Sequence, residues 1–390
     1  MIQILIDYII VKQNHVVMQK NFSISLTVFF LILIFTGCNK KQDSFVIVGE
    51  VTEFEDSTKI YLSDPDAQKK IDSTFVVDGQ FKFEGKVESP GKLSLMSEFE
   101  QGERPAYKSF WVDNSSITVK GNYENFNYAE ISGSEPQKTA DILLKETKQF
   151  RKERDSLTKR YRELYRQDDK KEEINAIVSR IHQIDSLTEL EEMQFIKEHT
   201  NSYAAVEQLK FKMTQIPQDT LQKYYDKLSP EFKETQYGKV LHTHLNSRLA
   251  EKGGQYIDFE AKTIEGEKFK LSEIKDKYIL LNFWSSNCGG CRMANKALAE
   301  KYAELKDHIE LVGFNVDKNK ETIKKAIDKD SIMWTTVTTL KGLDGEIPVR
   351  YQIRGVPTFF MINPDGEIID KFLGYRENKI EEIKKIALKE

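Results

Sequence analysis

Two cysteines separated by two glycines, Cys288-Gly289-Gly290-Cys291, are the residues of this chain best suited to chemistry. A thiolate is both a nucleophile and a leaving group, so a paired thiol can open another disulfide and then close on itself. The apolar run Tyr278-Ile279-Leu280-Leu281-Asn282-Phe283-Trp284 before the pair reads as a buried strand, and the alanine- and leucine-rich stretch after it, to about Leu305, reads as a helix. The pair therefore opens a helix. Free N–H groups and the macrodipole at that end favour the thiolate of the first cysteine. Cys288 is expected to attack and Cys291, one turn along, to resolve. Gly289 and Gly290 make a poor helix interior and suit a strand-to-helix turn. Lying between the sulfurs, they are the positions expected to tune the redox potential. A zinc site needs four ligands, and this part of the chain offers one CxxC and only His308, so neither a metal nor a cofactor is expected. A pair of inert core cysteines is the bland alternative.

The elements that must position this pair begin near residue 253. A second apolar strand is expected over Ile309-Glu310-Leu311-Val312-Gly313-Phe314, then a helix from Lys320 to Lys329. Pro357-Thr358-Phe359-Phe360-Met361-Ile362, a turn at Asn363-Pro364-Asp365-Gly366, the segment Glu367-Ile368-Ile369-Asp370 and a last helix follow. Strands alternating with helices imply an α/β layer with parallel pairing, and the tail implies a hairpin under a covering helix.

The run Leu280 to Cys291, LLNFWSSNCGGC, with Gly355-Val356-Pro357-Thr358-Phe359, resembles the thioredoxin superfamily, in particular the TlpA/ResA-like envelope thiol-disulfide oxidoreductases. The resemblance covers residues 253–390 and implies a thioredoxin fold there. It also implies a cis Pro357 lying against the disulfide, with the backbone at Val356 and Pro357 pairing with bound peptide. Trp284 matches the family's tryptophan in the strand before the motif, which places it near substrate or in core packing alone. The implied partners are protein disulfides and a transmembrane thiol-reductant conduit. Several positions depart from the pattern. Asn287 replaces the tryptophan before the first cysteine and Gly290 the usual proline, while Lys296 stands where a helix-kinking proline is common. Ala294 replaces a glutamate three residues after the second cysteine, and Asn282 aligns with the buried acid of cytoplasmic thioredoxin. No carboxylate is thus evident to take the resolving thiol's proton.

The chain has 390 residues, enough for two or three folded units, and a net charge of -4 that argues against nucleic acid as a partner. With only three cysteines it is not a disulfide-stapled scaffold. The third, Cys38, follows Lys20, an apolar run over residues 22–35, and Thr36-Gly37. This is a secretory signal over residues 1–37, with translation expected to begin at Met18, and it resembles a bacterial lipobox. Acylation of Cys38 would anchor the mature protein to a membrane facing the periplasm, and an uncleaved anchor is the alternative. Residues 38–135 read as an antiparallel β domain with a hairpin turn at Asp78-Gly79. It resembles the β-rich domain of unknown function that precedes thioredoxin-like domains in lipoproteins of Bacteroidota. Residues 136–252 are rich in helix formers and start at Ser134-Glu135-Pro136. Their apolar residues recur at three- and four-residue steps, which implies packing within the chain, with a dimerising coiled coil as the alternative.

The fold class expected is thus multi-domain α+β, with an N-terminal antiparallel β domain, a helical middle segment and a C-terminal α/β thioredoxin fold. The function expected is disulfide exchange with protein substrates through the CGGC pair, in the reducing direction. Two alternatives stand beside it. A thiol peroxidase would want a proline and a threonine where Leu281 and Ser285 stand. A binding lipoprotein would use the thioredoxin fold as scaffold only.

Overall fold

The computed structural model describes residues 42–99 and 104–388. The expected signal over residues 1–37 and Cys38 lie outside the described residues. Among the described residues no helix is long and apolar enough to cross a membrane.

The first part is a sandwich of two four-stranded sheets. One holds β4 (Gln80–Gly85), β1 (Phe45–Thr52), β7 (Ser116–Asn122) and β8 (Glu130–Ser132) in that order; the other holds β3 (Lys69–Phe75), β2 (Lys59–Asp64), β5 (Gly91–Ser97) and β6 (Tyr107–Val112). Alternation along the strands sends Phe45, Ile47, Ile60, Leu62, Phe81, Phe83, Ile117 and Val119 into one core between the sheets. Asp78 and Gly79 both have positive φ, 49° and 69°, as a two-residue turn of this kind requires. The strands they join belong to different sheets, so the turn is a corner of the sandwich. Pairing is antiparallel except between β1 and β7, which run parallel because the chain crosses the second sheet before returning beside β1.

The helical part opens with α1 (Glu135–Leu164) and α2 (Lys171–Glu198), two long helices folded back on each other. Ser134 caps the first, its hydroxyl accepting from the Gln137 N–H, with Pro136 in the opening turn. Arg154 with Asp185, Arg160 with Glu173 and Arg180 with Glu153 line the seam of this hairpin. Of the periodic apolar residues Leu164, Ile177 and Ile184 are buried, while Tyr165, Leu187 and Leu190 are exposed. Shorter helices follow, α3 (Tyr203–Lys212), α4 (Gln218–Asp226), α5 (Pro230–Glu234) and α6 (Gln236–Asn246).

The C-terminal sheet has seven strands in the order β10 (Lys268–Lys270), β9 (Glu260–Thr263), β13 (Thr335–Thr338), β12 (Ile309–Asn315), β11 (Tyr278–Trp284), β14 (Thr358–Ile362) and β15 (Ile368–Leu373). β11, β12 and β13 pair in parallel and the remaining pairs are antiparallel, so the sheet is mixed. Helix α7 (Gly289–Leu305) and the terminal helix α10 (Glu377–Leu388) cover the face carrying Leu280, Leu311 and Met361. Ile279, Leu281, Phe283, Val312 and Phe314 fill the other face. Two further helices, α8 (Lys320–Asp330) and α9 (Glu346–Arg350), complete this part.

The three parts share contacts. Trp111 of β6 and Val349 of α9 both enter the core of the helical part beside Leu209, Leu241 and Leu245. Ion pairs join Lys92 to Glu207 at 2.6 Å and Lys210 to Asp344 at 2.6 Å. At the same junction the Tyr237 hydroxyl donates to Asp66 Oδ2 at 3.2 Å. Burial raises the Asp66 carboxyl above its ordinary value, and the nearby Asp344 adds to this against the lowering effect of Tyr237 and Lys318. A raised carboxyl binds its proton more tightly folded than unfolded, so the ionised form costs stability at neutral pH and the cost is relieved as pH falls through the folded pKa. Asp66→Asn keeps an acceptor for Tyr237. It should raise the thermal midpoint at pH 7, and thermal scans should show the gain shrinking as pH is lowered towards 4.

Candidate active site

Strand β11 lies in the middle of its sheet and ends at Trp284, delivering the loop Ser285-Ser286-Asn287 to the mouth of α7. Cys288 is the N-cap of that helix, with extended backbone (φ -87°, ψ 111°), and its Sγ accepts from the Cys291 N–H at 3.1 Å. The two cysteines form a disulfide with a Cα–Cα distance of 5.2 Å. Cys288 is half-buried and Cys291 is 0% exposed, so an incoming reactant meets the first sulfur and not the second. Gly289 and Gly290 form the first turn of the helix itself rather than a turn ahead of it. A Cβ on Gly289 would touch nothing within 4 Å, and one on Gly290 would lie 3.6 Å from Pro357 Cδ, an ordinary contact.

Two loops frame the pair. The Val356–Pro357 peptide bond is cis, and the Val356 carbonyl oxygen lies 3.3 Å from Cys288 Sγ. This loop is held by the Thr358 hydroxyl, which donates to the Gly355 carbonyl at 2.6 Å, and by the Gly374 N–H, which donates to Pro357 O at 2.8 Å. The loop before Cys288 is held from both sides. Asp317, buried after β12, accepts from the Ser285 hydroxyl at 2.5 Å and from the Ser286 N–H at 2.8 Å. Arg292 donates to the Ser286 carbonyl at 3.2 Å while its guanidinium is gripped by both oxygens of Asp330. The Cys288 N–H in turn donates to the Ser285 carbonyl at 3.2 Å.

Cys288, Cys291 and the two glycines thus lie together at the helix mouth, and Val356 and Pro357 lie beside them as the resemblance implies. Trp284 does not reach the surface. It is 0% exposed and packs with Cys291, Ile264, Ile323 and Ala326, so its position beneath the pair is that of a supporting side chain and direct contact with substrate is closed to it. Asn287 is exposed beside Cys288, Ala294 is buried in α7, and the helix runs through Lys296 without a break. Sequence reasoning missed Asp317, Arg292 and Asp330. Asp317 closes the apolar strand run Ile309–Val316 with a charge, which was the only local hint. Among the described residues no group of acidic, histidine or cysteine side chains is arranged to hold a metal ion.

Residues 253–371 match the AhpC/TSA family and residues 45–139 match the domain of unknown function DUF4369. The thiol-disulfide oxidoreductase ResA of Halalkalibacterium halodurans is 31% identical over 136 residues, 34% of this chain and 76% of the relative. The thioredoxin-like protein YneN of Bacillus subtilis is 28% identical over 132 residues, 33% of this chain and 75% of the relative. Among solved structures, the thioredoxin domain of a thiol-disulfide oxidoreductase from Bacteroides vulgatus is 27% identical, with 35% of this chain and 99% of that chain covered and a TM-score of 0.33. With its cysteine pair at the mouth of a helix, its mixed sheet and this similarity to ResA, the chain belongs to the ResA-like thiol-disulfide oxidoreductases of the thioredoxin superfamily.

Proposed function

We propose that the Cys288–Cys291 pair carries the thiol-disulfide exchange, reducing disulfides of other proteins outside the cytoplasm. The observation that carries this reading is the asymmetry of the pair: Cys288 is half-buried at the N-terminus of a 17-residue helix, while Cys291 is sealed beneath it. The helix end favours the Cys288 thiolate. That thiolate attacks a substrate disulfide, giving a mixed disulfide and releasing one substrate thiolate. Cys291 then attacks Cys288 Sγ, closing the pair and releasing the second substrate sulfur, so two electrons pass to the substrate. The Val356 and Pro357 backbone beside Cys288 presents the substrate strand. Gly289 and Gly290 set the potential, since neither glycine is demanded by a steric clash. A transmembrane thiol reductant would reopen the pair, and acylation of Cys38 would hold the protein at the membrane on the periplasmic side.

The test is a Cys291→Ser variant made in cells. It should accumulate mixed disulfides with other proteins that reducing agent dissolves, and equilibration of the parent protein with glutathione should place its potential on the reducing side. Absence of adducts, together with Cys288 alkylating no faster than a model thiol, would overturn the assignment. Peroxide chemistry is disfavoured by the geometry. The Ser285 hydroxyl, at the position where a peroxidase would use threonine, is committed to Asp317.

A further inference from the structure

The disulfide opens at the end of the sheet where the parallel strands β11, β12 and β13 finish and the antiparallel β14 begins. Three other loops at that end are each tied to the parts that precede this sheet in the chain. After β12, the Lys318 N–H donates to Gln68 Oε1 at 3.0 Å, across 250 positions of sequence. After β13, Asp344 accepts from the Gln236 amide at 2.8 Å. Before β14, Arg354 donates to the Thr214 hydroxyl. The first of these ties reaches a residue that itself grips the loop of Cys288.

The Lys318 N–H belongs to the peptide unit that begins at the Asp317 carbonyl. A peptide is planar, so holding that N–H orients the unit attached to Asp317 Cα. On the other side the Asp317 N–H donates to Asn315 Oδ1 at 2.7 Å. Both peptide planes flanking Asp317 are therefore held, one from within the C-terminal part and one by the β sandwich. Between them the buried Asp317 carboxylate accepts from the Ser285 hydroxyl and the Ser286 N–H, and the Ser285 carbonyl accepts the Cys288 N–H. Gln68 stands in the turn between β2 and β3 with a φ of 52°, a conformation that favours glycine, yet it carries a long amide side chain. Asp64 closes the same turn, its carboxylate accepting the Ala67 N–H at 2.7 Å. A glycine at position 68 would ease the backbone and take this acceptor away from Lys318.

We propose that the β sandwich takes part in the disulfide exchange through Gln68, which positions Asp317 and through it the loop that carries Cys288. The proposal rests on the disulfide-exchange reading of the pair. Gln68 acts through another residue and is a positioning residue. While Asp317 grips Ser285 and Ser286, Cys288 keeps its place at the N-cap of α7, where its sulfur receives the Cys291 N–H and the field of the helix end. Loosening the peptide between Asp317 and Lys318 loosens that grip. The thiolate then loses part of the helix's support, so Cys288 reacts more slowly at neutral pH and the dithiol form loses stability relative to the disulfide.

The experiment compares the full-length parent with Gln68→Ala. Tyr128→Phe is the control, since it removes another hydrogen bond of the β sandwich, to Asp155 of α1 at 2.9 Å, and leaves Gln68 in place. Alkylation of Cys288 by iodoacetamide at pH 7 is timed in a Cys291→Ser background. The equilibrium of the intact pair with glutathione is measured alongside, and thermal unfolding checks the fold. One hydrogen bond is at stake, so alkylation should slow by about 3- to 10-fold in Gln68→Ala, and the glutathione equilibrium should move towards the protein disulfide by a similar factor. Tyr128→Phe should match the parent in both. The Gln68→Ala effect should disappear in an Asp317→Asn background, because a residue that acts through that carboxylate does nothing once it is gone. If Asp317→Asn does not fold, Ser285→Ala removes one of the two Asp317 contacts, and the Gln68→Ala effect should shrink there. Parental reactivity and equilibrium in folded Gln68→Ala would overturn the proposal. So would an undiminished effect in either background, or an equal change in Tyr128→Phe. If the parent's Cys288 alkylated no faster than a model thiol and formed no mixed disulfide, the disulfide-exchange reading would fall and not this proposal alone.

Discussion

A Cys288→Ser protein is expected to lose thiol-disulfide oxidoreductase activity by about 10³-fold or more, because a serine hydroxyl at neutral pH is not ionised and forms no disulfide. The loss should fall on kcat/KM in an insulin-reduction assay with excess thiol reductant. Its structural cost should be small. Cys288 is half-buried, and the N-cap position it occupies is one where serine ranks among the preferred residues, its hydroxyl able to accept the Cys291 N–H now taken by Sγ. A folded and inactive protein is therefore the expected result, and retained turnover in Cys288→Ser would remove Cys288 from the reaction.

The second large effect is on stability. Asp330 has a fully buried carboxylate, and both its oxygens serve Arg292, whose side chain is 23% exposed. Asp330→Ala leaves the guanidinium with the Ser286 carbonyl as its protein partner. Removing one member of a fully buried pair costs about 3–5 kcal/mol, and because Arg292 still reaches solvent, urea unfolding of Asp330→Ala should show a loss at or below the lower end of that range. The double variant Arg292→Met/Asp330→Leu removes both charges and should recover most of it. If the double variant were as unstable as Asp330→Ala, the cost would lie in packing and not in the stranded charge.

Much of this architecture is legible in the residues themselves, where the signal is local. The strand over Tyr278–Trp284, the cysteine pair and the helix behind it follow from an apolar run, a spacing of three and a change of composition. The turn at Asp78-Gly79 follows from two residues that tolerate positive φ, although not the fact that it joins two sheets. Strand β6 carries no period-two signal, because Phe110, Trp111 and Val112 are all buried: Phe110 and Val112 face the sandwich core and Trp111 faces the helices. The supports of the active site escaped for another reason. Asp317 and Ser285 are 32 positions apart, and Arg292 and Asp330 are 38 apart, so only the order of strands in the sheet brings them together. Trp284 shows the reverse hazard, since a motif correctly located a residue whose side chain is turned away from the surface.

The entry of Trp111 and Val349 into the core of the helical part bears on how the enzyme meets its substrates. A redox head on a flexible tether sweeps a volume and samples targets by reorienting itself. Here one apolar anchor from each flanking part is sunk into the same helices, so the cysteine pair looks out in a direction fixed to the whole body. Any segment that reaches Cys288 is therefore met at an angle fixed relative to the β and helical parts.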